Sequence, residues 1–146
     1  MILWLKLLHI LAAMVWFGGG LVLFFVARRT RATSTATTLG DFAGGLAYVG
    51  PRVLAPAVMV VLVTGVWMVL ADAGYSFELT WVRIGLGLFL AALLVGGIYL
   101  GRLGVQMTRA EPTALGALID RWLVGYAVVL VILLLVIVDM VFKPVL

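Results

Sequence analysis

Four stretches of the chain, residues 7–27, 53–71, 84–101 and 122–138, contain no Asp, Glu, Lys or Arg, and the last resumes past Asp139 to Phe142. A helix rises about 1.5 Å per residue, so about 20 apolar residues cross a hydrocarbon core about 30 Å thick. The apolar positions run continuously instead of alternating, which excludes the period-2 pattern of a membrane barrel. A segment in lipid must then satisfy its own backbone as a helix. The pattern predicts an all-α integral membrane protein, a bundle of four transmembrane helices over roughly 3–28, 50–72, 79–102 and 116–143, forming one domain over 1–146.

Composition agrees. The chain is 66% hydrophobic and 11% charged, against about 45–50% and about 25% in a soluble domain. With mean hydropathy of +1.30, the apolar surface has to meet a lipid bilayer. The chain has no Cys, which removes disulfides, thiolate metal sites and Cys nucleophiles. The net charge of +4 implies no nucleic-acid partner, because the basic residues sit at segment ends and are not interleaved with stacking aromatics. The first stretch is longer than a signal-peptide core and lacks an A-x-A site, so it is expected to be retained as a span.

The connections differ in charge. Residues 28–50 open with Arg28, Arg29 and Arg31, and Arg52 follows; residues 102–119 carry Arg102 and Arg109, with Arg121 just beyond. The turn from Asp72 to Glu78 is short and acidic. The positive-inside rule puts both Arg-bearing connections in the cytoplasm. Both termini and the acidic turn then lie on the extracytoplasmic side, with Lys6 and Lys143 as weak opposing signals. Thr38-x-x-Asp41 has the spacing of a capping box, and Pro112 suits a first helical turn. Both predict helices that begin early on the Arg-rich side, leaving residues 34–38 as the expected mobile point. Pro56 is expected to loosen the inner end of the second helix.

Ionisable side chains within a membrane are expensive and default candidates for function. His9, Arg83 and Asp139 fall within one or two turns of the end that carries the termini, and Asp72 and Glu78 flank the turn there, so several helices converge at one depth. Two readings stay open. In one, Arg83 and Lys143 reach outward to water, Asp139 pairs with one of them and His9 bonds a neighbouring carbonyl or hydroxyl. In the other, His9 is a ligand or proton carrier whose imidazole Asp139 orients, as carboxylates do for metal-bound histidines. Trp16 shares a face with His9 at seven residues' separation. Thr64 and Met68 share a face of the second helix, and Met68 or Met140 could complete a His/Met haem iron site with His9. The methionines also serve as ordinary apolar filler.

Gly18-Gly19-Gly20 would let a helix or a flat cofactor approach the backbone. Gly97-x-x-x-Gly101, preceded by Ala92 and Gly96, is a small-residue seam suited to helix packing or to homodimer formation. Absences narrow the field. One His cannot make a bis-His cytochrome b site, and there is no H-E-x-x-H or phosphate loop.

Lys6-Leu7-Leu8-His9, Trp16-x-Gly18-Gly19, Arg28-Arg29, Thr64-Gly65-Val66-Trp67 and Asp139-Met140-Val141-Phe142-Lys143-Pro144 together resemble a group of small bacterial membrane proteins. It comprises a family of predicted integral membrane proteins of unknown function, the copper-resistance D-type domain and the membrane-bound protoporphyrinogen oxidase. The oxidase resemblance implies haem b held by a helix-one His, which maps onto His9. It also implies a Lys on a later helix, where this chain has Arg83. The expectation is a haem- or quinone-linked redox or binding role at His9, lined by Trp16, Thr64 and Met68. The alternatives are a small-molecule or proton-coupled transporter using His9, Arg83 and Asp139, and a non-catalytic subunit of a larger membrane complex.

Overall fold

The computed structural model describes residues 1–33 and 35–144; within the expected mobile point at 34–38, Ser34 lies outside the described residues. Four long helices make up the chain. They are α1 (Ile2–Thr33), α2 (Ala36–Val49, a π turn at Gly50–Leu54, then Ala55–Ala71), α3 (Thr80–Leu93, a π stretch at Leu94–Leu100, then Gly101–Arg109) and α4 (Pro112–Phe142). All four are long and apolar enough to cross a membrane, with only 17–28% of each apolar window buried inside the protein. Val22, Phe25, Leu70, Val124, Val131 and Val141 point outward. So broad an apolar exterior is a lipid-facing surface, since soluble monomers rarely expose such contiguous patches.

The early helix starts are present on the Arg-rich side. Pro112 sits in the first turn of α4, where its missing N–H costs no hydrogen bond. The cap of α2 differs from expectation. Thr35 is the N-cap and makes no side-chain bond to the backbone, and its hydroxyl instead meets those of Thr37 and Thr38 at 2.8 and 3.2 Å. Arg31 ties α1 to α4 by two 2.9 Å bonds to the Asp120 carboxylate and one of 3.2 Å to the Gly116 carbonyl. Both side chains are about half exposed, at 41% and 53%, so the pair contributes at most about 1 kcal/mol.

Tight packing concentrates in this half. Leu39, Ala43 and Leu46 of α2, Leu103 and Met107 of α3, and Leu115, Ile119 and Trp122 of α4 form its core. Trp122 stacks on Tyr126 at 4.5 Å and meets Phe42 edge-on. Here α2 lies against both α3 and α4.

Towards the other end the helices pair differently. Ala55–Ala71 packs on α1 and Thr80–Leu93 packs on α4, while these two segments make no substantial contact with each other. The π turns stand between the part where α2 and α3 meet and the part where they separate. Pro51 and Pro56 each lack the N–H of a regular ladder, and the Ala55 N–H reaches back to Gly50 across one π turn. The loosening expected at Pro56 therefore takes this form just before it. In α3, the π stretch sets Tyr99 and Leu100 against Gly125 of α4, where a Cβ would lie 2.8 Å from both side chains. The small-residue seam divides: Ala92 is buried and Gly96 faces Val129, while Gly97 and Gly101 are exposed to lipid.

Candidate functional site

The separation of α2 from α3 opens a cavity of about 420 Å³ at the end that carries the start of α1, the end of α4 and the connection from Asp72 to Leu79. Its walls are mostly apolar, with Val61 and Val66 from α2, Leu86 and Phe89 from α3, and Val136 and Met140 from α4. Such a cleft between bundle helices is a common place for a ligand.

From α1, His9 and Ile10 line the wall, with Lys6 nearer the helix start. The His9 Nδ1 lies 3.0 Å from the Thr64 hydroxyl of α2. That hydroxyl has a single proton, which it donates to the Val60 carbonyl one turn back at 2.5 Å. With its proton donated to that carbonyl, the hydroxyl is left to accept from His9. In the tautomer that suits this arrangement the imidazole proton is on Nδ1, and the Nε2 lone pair is the coordinating or accepting position. The next residue, Gly65, makes room: a Cβ there would sit 3.2 Å from His9 Cε1.

The predicted site residues divide into three groups. His9 and Met68 line the cavity. Thr64 is buried behind the imidazole as its support, and Trp16 is core, packed edge-on at 5.6 Å against Phe89, which does line it. The polar cluster does not assemble. Asp139 is buried at 6% exposure with no hydrogen-bond partner for either carboxylate oxygen. It faces α3, where a Cβ at Gly85 would stand 3.0 Å from Oδ2. The imidazole is thus held by Thr64, and Asp139 neither orients it nor pairs with Arg83, which is exposed. Asp72 takes the Gly74 N–H at 3.0 Å in an Asx turn. Glu78 is exposed, its N–H held by Ser76. Among the described residues no three His, Asp or Glu side chains gather as a metal cage.

The sequence profile of the DUF2269 predicted integral membrane proteins matches residues 3–144. The chain belongs to this family. The match supports the unknown-function group among the three resemblances and does not extend to the copper-resistance domain or the protoporphyrinogen oxidase. Comparison with curated proteins finds no match, and comparison with solved structures finds none.

The structure adds residues that sequence reasoning did not bring to the site. Lys6, Tyr75, Trp81 and Lys143 all line the same cavity at its mouth. Lys6 and Lys143 read along the chain only as charges near a membrane edge. Their meeting depends on the connection between α2 and α3 folding back over the ends of α1 and α4, which no local motif announces. Gly65 and Gly85 were equally hidden, because a glycine's role here is set by what faces it from another helix.

Proposed function

We propose that the protein is a multi-pass bacterial inner-membrane protein that binds haem b in the cavity between α2 and α3, with His9 as the iron ligand. The observation that carries this reading is the His9–Thr64 hydrogen bond at the cavity wall. Metal-binding histidines characteristically have their other ring nitrogen held by a carboxylate, a backbone carbonyl or water, which fixes tautomer and orientation; the Thr64 hydroxyl occupies that position here. The donor set fits the group: one imidazole with Nε2 available, the thioethers of Met68 and Met140 in the lining, and a mouth with two lysines. Bound haem would supply one-electron redox chemistry, with the axial ligands and the apolar lining setting its potential. The protein's own share is to present Nε2, to exclude water with Val61, Val66 and Phe89, and to admit a flat body beside Gly65.

A quinone is the second reading, favoured by the parting of α2 from α3, because Nε2 can also accept a hydrogen bond from a quinol. The charge bias of the connections orients the cavity to the extracytoplasmic leaflet. A Ser76→Cys protein tests that side: a membrane-impermeant maleimide labels it in intact cells, and labelling only after lysis reverses the topology.

Haem titration of the detergent-purified protein, read by Soret absorbance and a dithionite-reduced spectrum, tests the ligand. Saturable one-to-one binding that is lost in His9→Ala and weakened about 10–100-fold in Thr64→Val is expected. Equal spectra from wild type and His9→Ala would remove haem from the account.

A further inference from the structure

The mouth of the cavity brings two lysines together, and among the described residues neither forms an ion pair. Lys6 Nζ and Lys143 Nζ each lie 5.6 Å from the centre of the Tyr75 ring, and Lys143 Nζ is also 5.3 Å from that of Trp81. The two rings meet edge-to-face at 5.6 Å. Both ammonium groups thus converge on one aromatic pair from opposite ends of the chain. Among the described residues, the one ion pair is Arg31–Asp120 at the far end of the bundle. Of the acids closest in sequence, Asp72 accepts the Gly74 N–H in its Asx turn, Glu78 is exposed, and Asp139 lies against Gly85 of α3.

The backbone is also committed to this arrangement. Lys143 is the one non-glycine residue with positive φ among the described residues, at 44°. Its N–H closes on the Asp139 carbonyl at 2.9 Å to end α4. A left-handed conformation is unfavourable for a residue with a side chain, and glycine is the usual occupant of this cap. Here the position carries a lysine whose ammonium returns over the mouth.

We propose that the cavity's ligand is an anionic amphiphile, an apolar body with a carboxylate or phosphate head, and that the head is bound between Lys6 and Lys143. The aromatic pair holds the ammoniums by cation–π attraction, and the head replaces that contact with stronger charge-assisted hydrogen bonds. The apolar body lies below, against Val66, Leu86 and Phe89. The inference rests on reading the cavity as a ligand site and deepens it. Haem b carries two carboxylates and qualifies; a neutral quinone does not. A phosphate-headed membrane lipid is the other source of the same chemistry.

Native mass spectrometry in neutral detergent separates these cases with two matched pairs of probes. One pair is haem b and its dimethyl ester, and the other is phosphatidylglycerol and phosphatidylcholine with identical chains. In at least one pair the anionic member is expected to bind at least about tenfold more tightly to wild type. That preference is expected to collapse in Lys6→Gln/Lys143→Gln and to persist in Lys6→Arg/Lys143→Arg, with melting curves confirming that all are folded. A preference in the lipid pair alone, with no haem uptake, upholds the anionic head and defeats the haem reading. His9-dependent haem uptake with equal affinity for the ester, and no lipid preference, upholds haem and overturns the inference. Absence of any preference, or one that survives in the double Gln variant, overturns it as well.

Discussion

Glycines in this chain differ in consequence according to what faces them. Gly18 has nothing within 4 Å of the place a Cβ would occupy, whereas a Cβ at Gly20 would run into the Tyr126 phenol. That phenol is itself buried, with its hydroxyl unpaired. Gly18→Ala is therefore expected to be neutral or to stabilise by up to about 1 kcal/mol through helix propensity. Gly20→Ala should lose about 1–3 kcal/mol through overpacking. Tyr126→Phe, which removes an unsatisfied buried group, should be neutral to stabilising and should recover part of the Gly20→Ala loss. Thermal unfolding of wild type, the three single variants and Gly20→Ala/Tyr126→Phe in one detergent checks this. Equal melting temperatures for the two Ala variants would mean that α1 and α4 do not approach as closely as described. The sequence presents Gly18-Gly19-Gly20 as one feature; only the opposing tyrosine divides it.

At the scale of elements, the four helices were legible because continuous apolar runs bounded by charge admit no other solution in a bilayer. Their departures from straightness were less legible. Pro56 signalled a loosening of α2, but nothing local indicated that the π stretch at Leu94–Leu100 would match it on α3. Together the two irregularities stand where the helices separate, which is what creates the cavity. Restoring both missing donors with Pro51→Ala/Pro56→Ala is expected to bring the Ala55–Ala71 segment towards Thr80–Leu93. The chain has no native Cys, so spin labels at Leu70→Cys and Ile84→Cys, both exposed positions, report the gap directly. Electron–electron double resonance should show a shorter mean distance in the double Ala background. An unchanged distribution would mean that the prolines do not hold the helices apart.

Over the whole molecule, one half of the bundle is closed and the other open. Trp122, Tyr126, Ile119 and Met107 fill the Arg-rich half, and Arg31 clasps Asp120 at its rim. The opposite half keeps a cavity with His9 in its wall and two lysines at its mouth. Agreement in depth along the helices put His9, Thr64 and Met68 at one end of the bundle. The structure sets His9 and Met68 in the lining of one cavity, with Thr64 bonded to the imidazole. Asp139 shares that depth, but depth along a helix does not say which neighbour a side chain faces. Asp139 turns to Gly85 of α3 and leaves the imidazole to Thr64.

The central claim is that the open half holds a ligand at His9. The most direct measurement is mass spectrometry of the organic extract from protein purified out of its native membrane, comparing wild type with His9→Ala and with Leu86→Trp, which fills the cavity. Wild type is predicted to release an anionic amphiphile, haem b foremost, in proportion to protein. His9→Ala should release it in reduced amount, and Leu86→Trp should release none. Three indistinguishable extracts from folded protein would contradict the account.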